Sequence, residues 1–178
     1  MMSVSEEVFV LSDEHIYEKV YDLAYRYEAE RGSCPQCVLA ALFEVLGVGS
    51  EEIIKAGDGL AGGSGLSAKG SCGALVGGMM AISFVCGRTY EDFSAEEKRR
   101  RVFAYTKKLL DCFVEEYGSL LCCDVHVKLF GRTYDLLDRK QYAQFEADGA
   151  HVDKCPSVAG NTARWTAQIL IEDLDWKL

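Results

Sequence analysis

Apolar residues recur every three or four positions through much of the chain, which is the spacing of one face of an α-helix. The first such stretch begins after Ser12, a residue type that caps helix N-termini, and stops before Gly32, which is typical of a helix C-terminus. The pattern therefore predicts a first helix that ends near Arg31. Its inner face would carry Ile16, Val20, Leu23 and Tyr27.

The same spacing and similar terminal signals predict several further helices. A proline follows Cys34 and another follows Cys155, and proline favours the first helical position because its missing N–H would be unpaired there in any case. Ser94, with Glu97 three residues later, matches a capping box. These helices are predicted at about 34–46, 53–56, 94–117, 138–147 and 155–173.

One more predicted helix is apolar on all sides. It runs from Cys72 to about Cys86 and carries no charged residue. A helix of that kind belongs inside a core, because no face of it favours water. The chain reaches it through residues 57–70, a nearly chargeless segment that is rich in glycine. We therefore expect this helix to lie at the centre of the fold.

Residues 125–129 alternate between apolar and polar side chains instead. That alternation, Val125-His-Val127-Lys-Leu129, is typical of a short strand or an extended edge. The rest of the pattern is helical, and 178 residues is about the size of one domain. The prediction is a single all-α domain over residues 1–178, a compact bundle of six to eight helices around the buried apolar helix that starts at Cys72.

Charge and hydropathy argue against two classes of function. The net charge is −9, whereas nucleic-acid binders present a basic face. The longest uncharged apolar helix, with about 15 residues, is too short for insertion across a membrane. The first residues are acidic and lack the apolar core of a signal peptide, so we expect a cytoplasmic protein.

Eight cysteines carry most of the candidate chemistry. The cytoplasm keeps thiols reduced, so we expect metal ligands, redox thiols or small core residues rather than structural disulfides. Three of the eight, Cys34, Cys72 and Cys155, stand where a helix is predicted to begin. The positive end of a helix dipole lowers a thiol pKa and favours a negatively charged group. This shared placement predicts one convergent site.

Pattern alone leaves the rest of the cysteine set open. Cys122 follows the break at Gly118 and could join the site from a loop, but the adjacent Cys123 is a rival. Cys37 lies three residues after Cys34, on the same helix face, and is the other substitute.

An iron–sulfur cluster fits such a set better than zinc or haem. Structural zinc sites pair their cysteines in short knuckles, whereas these candidates are separated by tens of residues. No cysteine pair is followed by the histidine of a haem-attachment motif. Iron–sulfur clusters take four thiolates and are tuned by N–H bonds to sulfur. Gly70 and Gly73, on either side of Cys72, are expected to supply such backbone donors.

Four cysteine-containing segments together form a longer pattern. They are Ser33-Cys34-Pro-Gln36, Cys72-Gly73-Ala74-Leu-Val-Gly77-Gly78, Tyr117-Gly118-Ser119-Leu-Leu-Cys122, and Cys155 before the last helix. This pattern, over residues 33–175, resembles a family of bacterial and archaeal redox-active proteins named after its cysteine spacing. The block here begins Cys-Gly-Ala where the family name has Gly-Cys-Ala. A similar domain occurs beside haems in the split-Soret type of cytochrome c, but the haem motif is missing here.

The resemblance implies a helical domain whose Cys34, Cys72, Cys122 and Cys155 bind an iron–sulfur cluster or act as redox thiols. The leading hypothesis is therefore a redox-active, electron-transfer protein that serves a redox partner protein. Two alternatives stay open: a metal-free thiol–disulfide oxidoreductase, and a non-catalytic binding or assembly module. The sequence identifies no substrate and no cluster type, and it leaves both enzymatic activity and a homodimer open.

Overall fold

The structure is a computed structural model that describes residues 12–177. The acidic N-terminal residues behind the cytoplasmic expectation lie outside this range. Within it the fold is all-α, with eight α-helices and no strand, which confirms the predicted fold class. The helices are α1 Asp13–Arg31, α2 Cys34–Leu46, α3 Glu51–Gly57, α4 Gly73–Cys86, α5 Glu96–Tyr117, α6 Cys122–Phe130, α7 Arg139–Ala147 and α8 Cys155–Gln168; a 3₁₀ turn lies at Asp58–Leu60 and π-helical turns at Ala150–Lys154 and Ile169–Asp173.

Most helix ends lie where the sequence signals predict them. The side chain of Ser12 caps α1 by accepting a hydrogen bond from the N–H of His15. Cys72 is the residue that precedes the first turn of α4. Gly47 and Gly118 end α2 and α5 in the left-handed conformation, which glycine adopts without the steric penalty of a Cβ.

The predicted capping box at Ser94 is wrong. α5 begins at Glu96, Ala95 is its N-cap, and no side chain caps its first N–H groups. Ser94 therefore lies one residue too early to act. The acidic side chains of Glu96 and Glu97 stand in the first turn, where a negative charge is favoured by the helix dipole.

The predicted strand at residues 125–129 is also wrong, because these residues belong to α6. Val125 and His126 are buried, whereas Val127 is 51% exposed, so the two valines do not share a face. Residues 122, 125, 126 and 129 lie on one face of a helix. Two of them, 125 and 129, also belong to the period-2 pattern that suggested a strand. Gly131, in the left-handed conformation, ends this helix.

α4 lies at the centre of the bundle and contacts α2, α5 and α8. Two glycines allow these close approaches. A Cβ on Gly77 would lie 2.6 Å from the carbonyl oxygen of Pro35 on α2, and one on Gly78 would lie 2.5 Å from Oγ1 of Thr166 on α8. The glycines in the apolar helix therefore bring its backbone against both neighbours.

The burial expected for α4 holds as far as Ile82 and fails at the last turn. Leu75 and Ile82 are almost completely buried, but Ser83 is exposed and Phe84 is 47% exposed. The neighbouring helices cover the start of α4 more completely than its end. Even so, α4 has only 14 residues, and no helix between residues 12 and 177 has the length and apolar character needed to cross a bilayer.

Candidate functional site

The starts of α2, α4, α6 and α8 surround one cavity of about 160 Å³. Cys34, Cys72, Cys122 and Cys155, one from each of these starts, all line it. Segments that are far apart in the chain thus bring four thiols to one interior space. The wall also includes Arg31, Ser33, His126, Tyr142, Phe145 and His151.

Cys72 occupies the N-cap position of α4. The backbone N–H groups of Ala74 and Leu75 lower the pKa of its thiol, although neither forms a capping hydrogen bond with the sulfur. These are the second and third N–H groups of the helix, which have no carbonyl partner within it. The glycine-rich segment before Cys72 and the apolar helix after it therefore place a sulfur where backbone donors are available.

Cys122 is tied to the Cys72 segment by a short antiparallel pairing. The N–H of Cys122 donates to the carbonyl of Gly70 (3.0 Å), and the N–H of Cys72 donates to the carbonyl of Leu120 (2.8 Å). A Cβ on Gly63 would lie 2.7 Å from the Cβ of Cys122, so only glycine fits there. The pairing fixes the two cysteines relative to each other, and sequence analysis expected only a loop here.

Cys34 opens α2 directly beside the start of α4. Ser33 precedes it with φ of 67°, a left-handed conformation that is uncommon for a non-glycine residue. A Cβ on Gly73 would lie 2.8 Å from Cδ of Pro35 and 3.3 Å from Cβ of Cys34. The absence of a side chain at Gly73 therefore lets the two cysteine-bearing helix starts meet.

Cys155 does not stand at an open helix start, contrary to expectation. A π-helical turn, Ala150–Lys154, runs directly into α8, and the N–H of Cys155 donates to the carbonyl of Ala150. The same turn carries His151, which also lines the cavity. π-Helical turns are rare in proteins, and those that occur are often found at functional sites. The free N–H groups expected at this cysteine are therefore already paired in part.

The two glycines expected to act as donors do not line the cavity. The N–H of Gly70 donates to the carbonyl of Gly63 (2.9 Å), so it is already engaged. The role of Gly73 is the close helix contact described above. The N–H groups that lower the pKa of Cys72 belong instead to the two residues that follow Gly73.

Neither of the two substitute cysteines lines the cavity. The thiol of Cys37 is buried and donates to the carbonyl of Gly32, with a sulfur–oxygen distance of 2.8 Å. Cys123 lines a separate surface groove with Lys69 and Gln141. Each pair of neighbouring cysteines is thus divided between the cavity and another environment, which pattern alone left undecided.

The donors around the cavity are not arranged for a single metal ion. Among the residues that the structure describes, no three His, Cys, Asp or Glu side chains are grouped closely enough to hold one. The cavity has about the volume of engineered cavities of roughly 150 Å³ that take up benzene.

A sequence model of the family described as "Putative redox-active protein (C_GCAxxG_C_C)" matches residues 32–169. The chain belongs to this family. The match confirms the resemblance drawn from the four cysteine segments, and the family description supports a redox role. No curated protein and no solved structure matches the chain.

For a member of a redox-active family, the protonation of the cavity thiols is a central property. Burial raises the pKa of Cys72 to about 11, although the two N–H groups at its sulfur oppose this rise. Burial raises the pKa of Cys122, Cys34 and Cys155 further, and the charge of Glu28 adds to the effect at the last two. Without a bound cation the four thiols are therefore protonated at neutral pH.

Glu28 is a feature of this family member that sequence analysis missed. Its side chain is fully buried on α1, and neither carboxyl oxygen has a hydrogen-bond partner among the described residues. Oε1 lies 3.8 Å from Nε2 of His151, whose Nδ1 is 2.7 Å from Oε1 of Glu146. Burial raises the pKa of Glu28, and the nearby thiols of Cys34 and Cys37 oppose the rise.

His126 was the second omission. It follows Cys122 by one helical turn, is 3% exposed and lines the cavity, with Nε2 3.5 Å from Sγ of Cys122. Three aromatic rings, those of Phe130, Tyr134 and Phe145, surround the imidazole at centroid distances of 5.0–5.8 Å. Burial lowers its pKa to about 4, so the ring is uncharged at neutral pH. The prediction of a strand hid the i, i+4 relation to Cys122.

Proposed function

We propose that this protein transfers electrons through an iron–sulfur cluster held in the cavity by Cys34, Cys72, Cys122 and Cys155. The observation that supports it most is the lining of one cavity by four cysteines from four separate helix starts. Four thiolates are the common ligand set of such clusters. The redox role of the family is in keeping with this assignment.

The size of the cavity is in keeping with a cluster. A tetrahedral ion with metal–sulfur bonds of about 2.3 Å needs its sulfurs only about 3.8 Å apart. No three donors in residues 12–177 are grouped for that geometry. A cluster spreads its ligands over a larger volume, which agrees with a cavity of about 160 Å³.

The chain's own residues have three tasks in this proposal. The four cysteines lose their protons to solvent on binding, because a coordinating thiol is deprotonated outright. The N–H groups of Ala74 and Leu75 stabilise the thiolate of Cys72, and the apolar wall limits access of water. A bound cluster supplies reversible uptake of one electron, received from a reduced donor protein and passed to an oxidised acceptor, with no transfer of atoms.

The metal-free thiol–disulfide alternative is less well supported. The attacking species in disulfide exchange is a thiolate, whereas burial raises the pKa of all four cavity thiols. A protein that relied on exchange would need at least one thiol with a pKa near or below neutrality.

The proposal is tested by anaerobic purification after expression with added iron. We expect a coloured protein with visible charge-transfer absorption and with both iron and acid-labile sulfide bound to each chain. A colourless, iron-free protein that also fails to take up a cluster on chemical reconstitution would contradict the proposal.

The chain provides matched controls within its own sequence. Cys122→Ser should remove most of the iron, whereas Cys123→Ser, one residue away, should retain it, because Cys123 faces a different groove. Cys34→Ser and Cys37→Ser form a second pair with the same expectation. Equal iron loss within either pair would show that the cavity assignment is wrong.

A further inference from the structure

His126 is a buried nitrogen base that the ligand set leaves unused. It lines the cavity from α6, one turn after Cys122, and its Nε2 lies 3.5 Å from the sulfur of that cysteine. Sulfur acceptors form longer hydrogen bonds than oxygen acceptors because the atom is larger, so this distance fits an N–H···S contact. The ring thus faces the first residue of its own helix.

The surroundings of the ring decide which nitrogen carries the proton. Nδ1 is buried and has no hydrogen-bond partner among the described residues. A neutral imidazole has one N–H donor and one acceptor nitrogen. With Cys122 bound as a thiolate, a proton on Nδ1 would leave a buried donor unpaired and would direct the lone pair of Nε2 at a negatively charged sulfur. A proton on Nε2 pairs the donor, so this tautomer is favoured.

The aromatic shell holds the ring in this orientation. The rings of Phe130, Tyr134 and Phe145 meet the imidazole at interplanar angles of 85°, 69° and 39°. Phe130 lies on the same helix, whereas the other two come from the segment after it. Groups from two parts of the chain therefore fix one N–H towards one sulfur.

We propose that His126 donates its Nε2–H to the Cys122 sulfur of the bound cluster and raises the reduction potential of that cluster. This inference rests on the proposed function. Reduction adds negative charge at the cluster and its sulfurs, so an N–H donor stabilises the reduced state more than the oxidised state. His126 is a positioning residue here, and the ligand remains Cys122.

The inference is tested by mediated redox titration of the anaerobically purified protein, with dithionite as reductant. In His126→Phe we expect the iron content of the natural protein but about tenfold less reduced cluster at a fixed solution potential, since hydrogen bonds to charged groups are worth roughly that factor. For a one-electron couple this equals a shift of about −59 mV. His126→Gln, which keeps an N–H donor, should recover part of the shift.

A second variant controls for general disturbance of the aromatic shell. Phe145→Leu alters the packing around the imidazole without removing the donor, and its potential should stay closer to that of the natural protein. An unchanged potential in His126→Phe, with iron retained, would overturn the inference while leaving the cluster proposal intact. Loss of iron in that variant would also overturn it, because His126 would then be a ligand.

A measurement without substitution is available if His126→Phe does not fold. Nitrogen-15 NMR of the imidazole in the oxidised, cluster-loaded natural protein reports which ring nitrogen is protonated while Cys122 is a thiolate. We expect the proton on Nε2, and a proton on Nδ1 would overturn the inference. A protein that binds no cluster would already have contradicted the proposed function in the iron analysis, so the two failures are distinguishable.

Discussion

The two ends of α4 each carry a cysteine, Cys72 at the start and Cys86 at the end. Cys72 lines a cavity with three other cysteines, and the N–H groups of the next helical turn oppose the rise in its pKa. The thiol of Cys86 donates to the carbonyl of Ile82 in its own helix, at 3.3 Å. The comparison shows that a cysteine of this apolar helix becomes a candidate ligand where the starts of other helices place further cysteines around the same cavity.

Polar groups are also distributed differently between the cavity end and the remainder of the bundle. In the described part of the chain, buried side-chain nitrogen or oxygen atoms without a partner occur on four residues. Three of them, Glu28, Ser33 and His126, lie at or beside the cavity, and the fourth is Arg164. Buried polar groups are normally paired, so this concentration sets the cavity end apart.

The largest expected effect, on iron content, comes from replacing each of the two cysteines of α4 in turn. Cys72→Ser should lose nearly all bound iron, because one of four converging ligands is removed, whereas Cys86→Ser should retain it. Iron analysis after anaerobic purification measures both. Similar iron contents in the two variants would remove the distinction between the helix ends.

Replacing a glycine by alanine should lower the free energy of unfolding more in the packed part of α4 than at an exposed position. Gly77→Ala places a Cβ 2.6 Å from a backbone oxygen of Pro35 and should lower the free energy of unfolding by about 1–3 kcal/mol. Gly59→Ala, which has no atom within 4 Å of the added Cβ, should change it by less than about 0.5 kcal/mol. Urea unfolding of the metal-free variants checks the pair, and equal effects would contradict the described helix contact.

Glu28 should make stability near neutral pH depend on pH. Burial raises its pKa in the folded protein, so the folded state keeps a proton that the unfolded state loses above about pH 4.5. The stability from this group is therefore complete below pH 4.5 and falls as the pH rises towards the folded pKa, by up to about 1.4 kcal/mol per pH unit.

Removing the ionisable group should flatten this part of the stability profile. Metal-free Glu28→Gln should gain stability over the natural protein as the pH rises from 5 to 7, measured by urea unfolding at each pH. Glu30→Gln, on the exposed side of the same helix, provides the control. If both variants follow the natural protein, Glu28 is not a buried ionisable group of the kind described.

The smallest effect concerns Tyr134, which lies beside the cavity. Its hydroxyl donates to Oδ2 of Asp148 at 2.7 Å, and burial with this bond raises its pKa to about 12. The contribution to stability is complete below about pH 10 and is lost between pH 10 and 12. Tyr134→Phe should cost about 0.5–1.5 kcal/mol at pH 7 and should weaken the alkaline loss of stability. An unchanged alkaline profile would argue against the bond.

The sequence was a good guide to helices because their ends carry local signals. These signals act within a few residues of their own position, so they can be identified from the sequence alone. They include Ser12, Cys72, Gly47 and Gly118. The strand predicted at residues 125–129 failed because five residues are too few to separate a period of 2 from a period of 3.6.

The sequence predicted which segments supply the cavity cysteines, but it left the choice within each neighbouring pair open. Helix starts identified Cys34 and Cys72, yet the choice between Cys122 and Cys123 depends on a pairing with a distant segment. The burial of Glu28 likewise depends on other helices that cover α1. Such tertiary contacts leave no local trace in the chain.

X-ray absorption at the iron edge of the anaerobically purified protein tests the central claim most directly. The account predicts a first shell made of sulfur at about 2.3 Å, with iron–iron scattering beyond it, and loss of this signal in Cys72→Ser but not in Cys86→Ser. An oxygen or nitrogen shell without iron–iron scattering, or the same spectrum in both variants, would contradict it.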